Sequence, residues 1–172
     1  VSRAAEIVAY LDAHGVASAV IGGMALAVHG IARSTVDVDL LTDDARVLER
    51  SFWSGLGSAP PAEIRRGDAA DPLAGVVRWD TEDAVDLIVG RGRFASNIVG
   101  RRVFLEIGGR KLPVVQAPDL ILLKLAAGGP QDLLDVRLLL HADRGEWRAA
   151  VEERIETAPM DARQVWKRID PI

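Results

Sequence analysis

The stretch from Ala17 to Leu41, ASAVIGGMALAVHGIARSTVDVDLL, constrains the fold more than any other part of the chain. The apolar run ASAVI reads as a short buried strand that ends abruptly at Gly22-Gly23. MALAVHG has room for one short helix before Gly30 stops it, and VDVDLL returns to strand alternation. Asp37 and Asp39 lie two apart in that second strand, so both project from one face while Val36, Val38 and Leu40 pack the other way. Burying a carboxylate without a partner is costly, so something must compensate two of them.

The remaining segments supply a scaffold. Ser2 caps a first helix with Ala5, Val8 and Leu11 at helical spacing, and Gly15 sits at its C-terminal end. Thr42 with Asp43-Asp44 marks the start of a helix over ARVLERSFWSGL. The span from Pro60-Pro61 to Pro72 reads as a loop carrying a short amphipathic piece at 63–66. AGVVRW (74–79) and AVDLIVG (84–90), joined by the polar link DTED, predict an antiparallel hairpin that extends the same sheet. RFASNIVG predicts a helix, and RVFLEIGGRKLPVV a hairpin turning at Gly108-Gly109. PDLILLKLAAGG and PQDLLDVRLLLHAD are helices, with Pro130 at the start of the second, and Trp147 and Trp166 fall on two closing amphipathic helices. The expected fold is α+β: a short mixed sheet flanked by helices, with a C-terminal helical segment. The core is expected over 1–115, with helices of 116–172 packed on it as one structural unit.

Composition narrows the partners. With 172 residues and 49% of them hydrophobic, the chain can bury a substantial core. Its 21 basic and 25 acidic side chains argue against broad electrostatic wrapping of duplex DNA or an anionic membrane, while leaving room for a local basic patch. The absence of cysteine excludes disulfides, thiolate zinc sites and cysteine nucleophiles, and fits a cytoplasmic protein. No apolar run approaches the roughly 20 residues of a membrane helix, and Glu6 and Asp12 within the first helix argue against a signal peptide.

Paired carboxylates repel unless cations lie between them, and divalent metal supplies such cations. Magnesium takes carboxylate oxygens together with substrate phosphates, and two-ion sites clamp the attacking and leaving oxygens of nucleotidyl transfer. Asp86, alone in the apolar strand AVDLIVG, is the candidate third acid, either as a metal ligand or as general base. An acid pair of this kind is also found at solvated strand edges and helix caps. The Gly22-Gly23 pair lets backbone approach a phosphate, although such pairs also make ordinary turns. Arg33 and Thr35, just ahead of the acidic strand, could hold a triphosphate or orient Asp37; a loop arginine paired to a surface acid is the plain alternative.

The blocks Gly-Gly, Asp-x-Asp and Lys…Asp-x-x-Asp, in that order over roughly residues 15–140, resemble the nucleotidyltransferase superfamily with the polymerase-beta-like fold. The variety the chain most resembles is the AbiEii type, which includes toxins of toxin–antitoxin systems; the small antibiotic nucleotidyltransferases come next. The resemblance implies catalytic and metal-binding roles for Asp37, Asp39 and Asp86, with two Mg2+ ions and an NTP such as ATP as substrate. It implies phosphate contacts by Gly22 and Gly23, nucleotide contact by Lys124, and positioning by Asp132. Set beside those roles, Lys124 could snorkel from an apolar helix and Asp132 could cap its own. Asp135 lies one turn beyond Asp132, and His29 is read as structural. Many relatives carry Ser where this chain has Gly23, which removes a hydroxyl contact to phosphate.

The expected activity is Mg2+-dependent transfer of an NMP group from an NTP to an acceptor hydroxyl on an RNA end, a protein or a small molecule, possible as a toxin with a cognate antitoxin. Antibiotic modification and a non-catalytic binding or antitoxin-like role are the alternatives. Arg91, Arg93, Arg101 and Arg102 could form a basic rim for RNA, or simply be solvated surface. With so few aromatic residues, a stacking platform is not evident.

Overall fold

The computed structural model describes residues 2–32, 37–57, 60–69, 71–80, 84–143 and 145–169. By contact density the chain divides into two compact units, Val1–Met24 with Ser34–Val115, and Ala25–Arg33 with Gln116–Ile172.

The first unit is built on a sheet. Its strands are β1 (Ala19–Val20), β2 (Val38–Thr42), β3 (Glu63–Arg66), β4 (Leu73–Trp79), β5 (Val85–Gly90), β6 (Val103–Ile107) and β7 (Arg110–Val114). They form a seven-stranded mixed sheet in the order β3-β4-β5-β2-β1-β7-β6. The pairs β2–β5 and β1–β7 are parallel and the others antiparallel. Helix α1 (Ser2–Ala13) buries Ala4, Ile7, Val8 and Leu11, the spacing of one helical face, and Gly15 at φ +69° ends the turn that follows. Helix α2 (Gly22–Val28) follows β1, and α3 (Gly92–Gly100) follows β5. One sheet face is almost fully buried, through Val20, Leu40, Leu87 and Val114.

Three expectations are corrected. The strand expected from Val36 begins at Val38, which leaves Asp37 exposed in a bend ahead of it. The helix expected over ARVLERSFWSGL is two 3₁₀ segments, Ala45–Leu48 and Arg50–Gly55, separated by Glu49 in extended backbone. The Trp53 indole N–H donates to the Val47 carbonyl at 2.7 Å, taking an acceptor that a continuous helix would use for its own ladder. The piece at 63–66 is an edge strand, because β4 offers it an open ladder; a Cβ on Gly75 would lie 2.3 Å from the Arg65 carbonyl oxygen, so the two backbones approach closely there.

Much of the aromatic content is spent in this unit's core. Tyr10 and Trp53 stack at 5.6 Å, Trp53 meets Trp79 edge-on at 4.7 Å, and the Tyr10 hydroxyl donates to the Phe52 carbonyl at 2.6 Å.

The second unit is helical. It holds α4 (Ala117–Ala127), α5 (Pro130–Ala142), α6 (Glu146–Arg154), a 3₁₀ turn at Ile155–Thr157 and α7 (Met160–Trp166). Leu120, Ile121, Leu122 and Leu125 of α4 are all buried, and α5, α6 and α7 each pack on that helix. Gly128 at φ +68° closes α4, with its N–H donating to the Lys124 carbonyl, and Pro130 opens α5. His29 meets Trp147 edge-on at 6.0 Å, a packing contact. No helix among the described residues is long and apolar enough to cross a membrane.

Candidate functional site

The centre of the site is a pair of carboxylates set by strand register. In the parallel β2–β5 ladder Asp39 lies directly opposite Asp86, so the two project from the same face of adjacent strands. Both are half-buried, on the sheet face that is less completely covered.

Gly22 closes in on this pair. Its φ is +63°, and a Cβ built on it would fall 2.0 Å from Oδ2 of Asp39. The N–H of Ile21 donates to the Asp39 carbonyl at 2.9 Å and holds the two segments together. Only glycine satisfies both the positive φ and the close approach, so the first residue of the Gly-Gly pair is there to let the Asp39 carboxylate sit against the backbone. Gly23 follows in the first turn of α2.

Asp86 has a partner that the sequence reading missed. Arg78 of β4 is paired directly opposite Asp86 and grips it with both donors of its fork, Nε to Oδ1 at 2.8 Å and Nη2 to Oδ2 at 2.7 Å. Arg78 is 44% exposed and Asp86 22%. This hydrogen-bonded pairing and the attraction of Asp86 raise the arginine's pKa further. The signal was present: once Trp79 pairs with Val85 in the predicted hairpin, Arg78 must face Asp86.

Asp37 stands exposed, just before the strand, so the two-apart spacing does not place it beside Asp39 within a ladder. Arg33 and Thr35 lie outside the described residues. Among the described residues, no group of three or more His, Asp or Glu side chains is arranged to hold a metal ion. The donor chemistry of Asp39 and Asp86 nonetheless suits a hard divalent cation, since adjacent carboxylate oxygens are what such an ion prefers. Both oxygens of Asp86 are engaged by Arg78, so an ion there must share or displace the guanidinium.

Lys124 and its acids belong to the second unit. The Lys124 ammonium lies 2.8 Å from Asp132 Oδ1 and 2.9 Å from Asp135 Oδ2. Lys124 is 14% exposed and Asp135 1%. Gln131 donates to the other oxygen of Asp135 at 3.2 Å. Burial works against the charged ammonium, but hydrogen bonds to Asp132 and Asp135 outweigh it and raise the lysine's pKa above its usual value. A second buried acid of this unit, Asp119, pairs with Arg154 at 3.0 Å.

Comparison with known proteins places this geometry in context. A family model described as nucleotidyl transferase of unknown function (DUF2204) matches residues 1–170. Comparison with curated protein sequences finds no significant match. Among solved structures, the chain is similar to ANT(2'')-Ia in complex with adenylyl-2''-tobramycin, with TM-score 0.56 and 16% identity, covering 97% of this chain and 96% of that one. It is also similar to a candidate nucleotidyltransferase from Thermotoga maritima, with TM-score 0.54 and 18% identity, covering 82% of this chain and 91% of the other. At these identities the likeness establishes a shared nucleotidyltransferase fold.

Proposed function

Because the chain belongs to the nucleotidyl transferase family whose model spans its residues 1–170, we propose that it transfers a nucleoside monophosphate from a nucleoside triphosphate to an acceptor hydroxyl. The observation that carries this reading is the register pairing of Asp39 with Asp86, with Gly22 pressed against the Asp39 carboxylate. A divalent cation, Mg2+ in the first instance, is the group these acids suit; when bound it supplies charge neutralisation for the triphosphate and the departing pyrophosphate.

This chain's residues do the rest. Asp39 is held by the β2 ladder and by the backbone around Gly22, so its oxygens are pre-positioned. Arg78 fixes the carboxylate plane of Asp86, the group proposed either to ligate the cation or to accept the proton of the attacking hydroxyl. The acceptor oxygen forms the new bond to the α-phosphorus, the bond from that phosphorus to the α–β bridging oxygen breaks, and pyrophosphate leaves with the electron pair. Asp37 supplies a further carboxylate from the bend before β2, and Gly22 and Gly23 offer backbone to the phosphates. Lys124 with Asp132 forms a second charged centre proposed to serve the nucleotide.

The acceptor classes in play are an RNA end, a protein side chain and a small molecule. An RNA or protein acceptor fits a toxin of the AbiEii type, with a cognate antitoxin as its partner. A small-molecule acceptor has its precedent in ANT(2'')-Ia, solved with adenylyl-2''-tobramycin.

The test is pyrophosphate release and label transfer from each of four α-labelled triphosphates with Mg2+ or Mn2+, against total RNA, total protein and a panel of hydroxylated small molecules. Asp39→Asn should lower turnover by about a hundredfold or more while the protein stays folded. A folded wild-type protein that releases no pyrophosphate with any acceptor overturns the reading.

A further inference from the structure

The hairpin β6–β7 at the end of the sheet carries a feature that the acid pair does not explain. Phe104 is 48% exposed, whereas Trp53 and Trp79 are buried and the half-buried Tyr10 and Phe52 pack against Trp53. Two cations stand near its ring: the Arg102 guanidinium carbon lies 5.7 Å from the centroid and the Lys111 ammonium 5.9 Å. The Arg102 side chain is anchored by a hydrogen bond from Nη1 to the Val99 carbonyl at 2.9 Å, so one cation is held in place rather than waving in solvent. A groove of about 510 Å3 opens beside the ring, lined by Phe104, Glu106, Gly109 and Lys111.

The charge around this ring is out of keeping with the chain. Residues 91–111 include Arg91, Arg93, Arg101, Arg102, Arg110 and Lys111 against the single acid Glu106, a net +5 inside a protein of net −4. Arg91 is turned aside to the carbonyls of Gly67 and Asp68 and Arg93 lies in the first turn of α3, which leaves Arg101, Arg102, Arg110 and Lys111 with the hairpin and the end of α3 that leads into it.

Register shows which way the ring points. Leu40 pairs with Val20, Val20 with Val114, and Val114 with Val103, so these four lie on one face. Asp39 and Phe104, each one residue from that row, therefore lie on the opposite face together. Three strand steps and two residues of stagger separate them, roughly 15 Å at normal strand spacing.

We propose that the β6–β7 hairpin is a docking site for single-stranded nucleic acid, with Phe104 as the stacking platform and Arg102 and Lys111 as its phosphate contacts. An exposed ring framed by cations is the combination that holds unpaired bases without reading their sequence, since every base has a π-face and every linkage a charge. A second copy of this chain pairing along β6 is the competing occupant of a free edge. Strand-to-strand pairing of two copies along β6 would set two hairpins of net positive charge side by side, which disfavours it. Taken with the proposed transfer chemistry, on which only this step rests, the site identifies the acceptor as single-stranded nucleic acid, held on the same sheet face as Asp39 and Asp86.

Binding is tested separately from chemistry. Fluorescence anisotropy of labelled 12-residue oligo(A) and oligo(U) RNA, in EDTA without nucleotide, should give saturable binding that weakens steeply with salt. Phe104→Ala should raise Kd about fivefold or more, with the melting temperature unchanged because the ring is half-exposed, and Lys111→Glu should raise Kd and flatten the salt dependence. Asp39→Asn should leave the oligonucleotide affinity within about twofold, as expected for a site separate from the acid pair. Absence of wild-type binding, or equal affinity in Phe104→Ala and Lys111→Glu, overturns the docking site even if a small molecule is nucleotidylated. A wild-type dimer that Phe104→Ala dissolves, with no oligonucleotide bound, overturns it in favour of self-association. Oligonucleotide binding of the expected kind without any pyrophosphate release leaves the docking site standing and removes the transferase reading instead.

Discussion

The two ion-pair centres, Arg78–Asp86 on the sheet and Lys124–Asp132–Asp135 on the helices, use the same chemistry in different surroundings. Arg78 and Asp86 both keep access to water, and their fork geometry is set by cross-strand register. Lys124 and Asp135 are sequestered, so each is the other's main compensation for lost hydration. A water-accessible pair can exchange partners at little cost, which suits the role proposed for Asp86 in accepting a cation or a proton. A buried one cannot, and its first consequence is for folding.

The largest effect that would sharpen this contrast is at Lys124. Lys124→Met strands Asp135 in the interior and should cost about 3–5 kcal/mol of stability, measured by urea unfolding; Lys124→Met with Asp135→Leu should recover most of the loss. Wild-type stability in the single variant would break the contrast. The pH dependence has a definite sign. Because the lysine's folded pKa is raised, its contribution is complete below the ordinary lysine value of 10.5 and decays as pH climbs through the higher folded value. The stability gap between wild type and Lys124→Met should therefore stay level from pH 7 to 10 and narrow above about pH 10.5.

Next in size is Gly22→Ala. The positive φ alone should cost about 1–2 kcal/mol, and the new methyl must displace the Asp39 carboxylate, so pyrophosphate release should fall by more than the stability loss accounts for. Full activity in this variant would show that the position of Asp39 is not needed. The smallest stability effect belongs to Arg78→Met, below about 1 kcal/mol in thermal unfolding, as expected of a solvent-accessible pair. Its signature is kinetic: turnover should drop while the melting temperature holds, because Asp86 loses the partner that orients it. A large stability loss here would place Arg78–Asp86 in the same class as Lys124–Asp135.

The DTED link and its flanking strands show how much can be read from neighbouring residues. They predict a hairpin, and the hairpin is formed by β4 and β5, with residues 81–83 of the link outside the described residues. The same register sets Arg78 opposite Asp86. ARVLERSFWSGL shows the limit. Its residues suit a helix, yet Glu49 breaks it and the indole of Trp53 captures the Val47 carbonyl. Similarly, EIRR offers one apolar side chain and no alternation, and becomes a strand only through the ladder of β4.

By itself the amino-acid sequence determined the order of most elements, the α+β class, the glycine after the first strand and the candidate acids, because these depend on periodicity, turn chemistry and residue type within a few positions. Tertiary structure alone decided that Asp39 meets Asp86 across a parallel ladder, that Asp37 stays outside the strand, and that Phe104 shares the sheet face of the acids. The physical reason is register. A parallel pairing between distant strands is selected by the whole core at once, and a shift of one residue would send every one of these side chains to the other face.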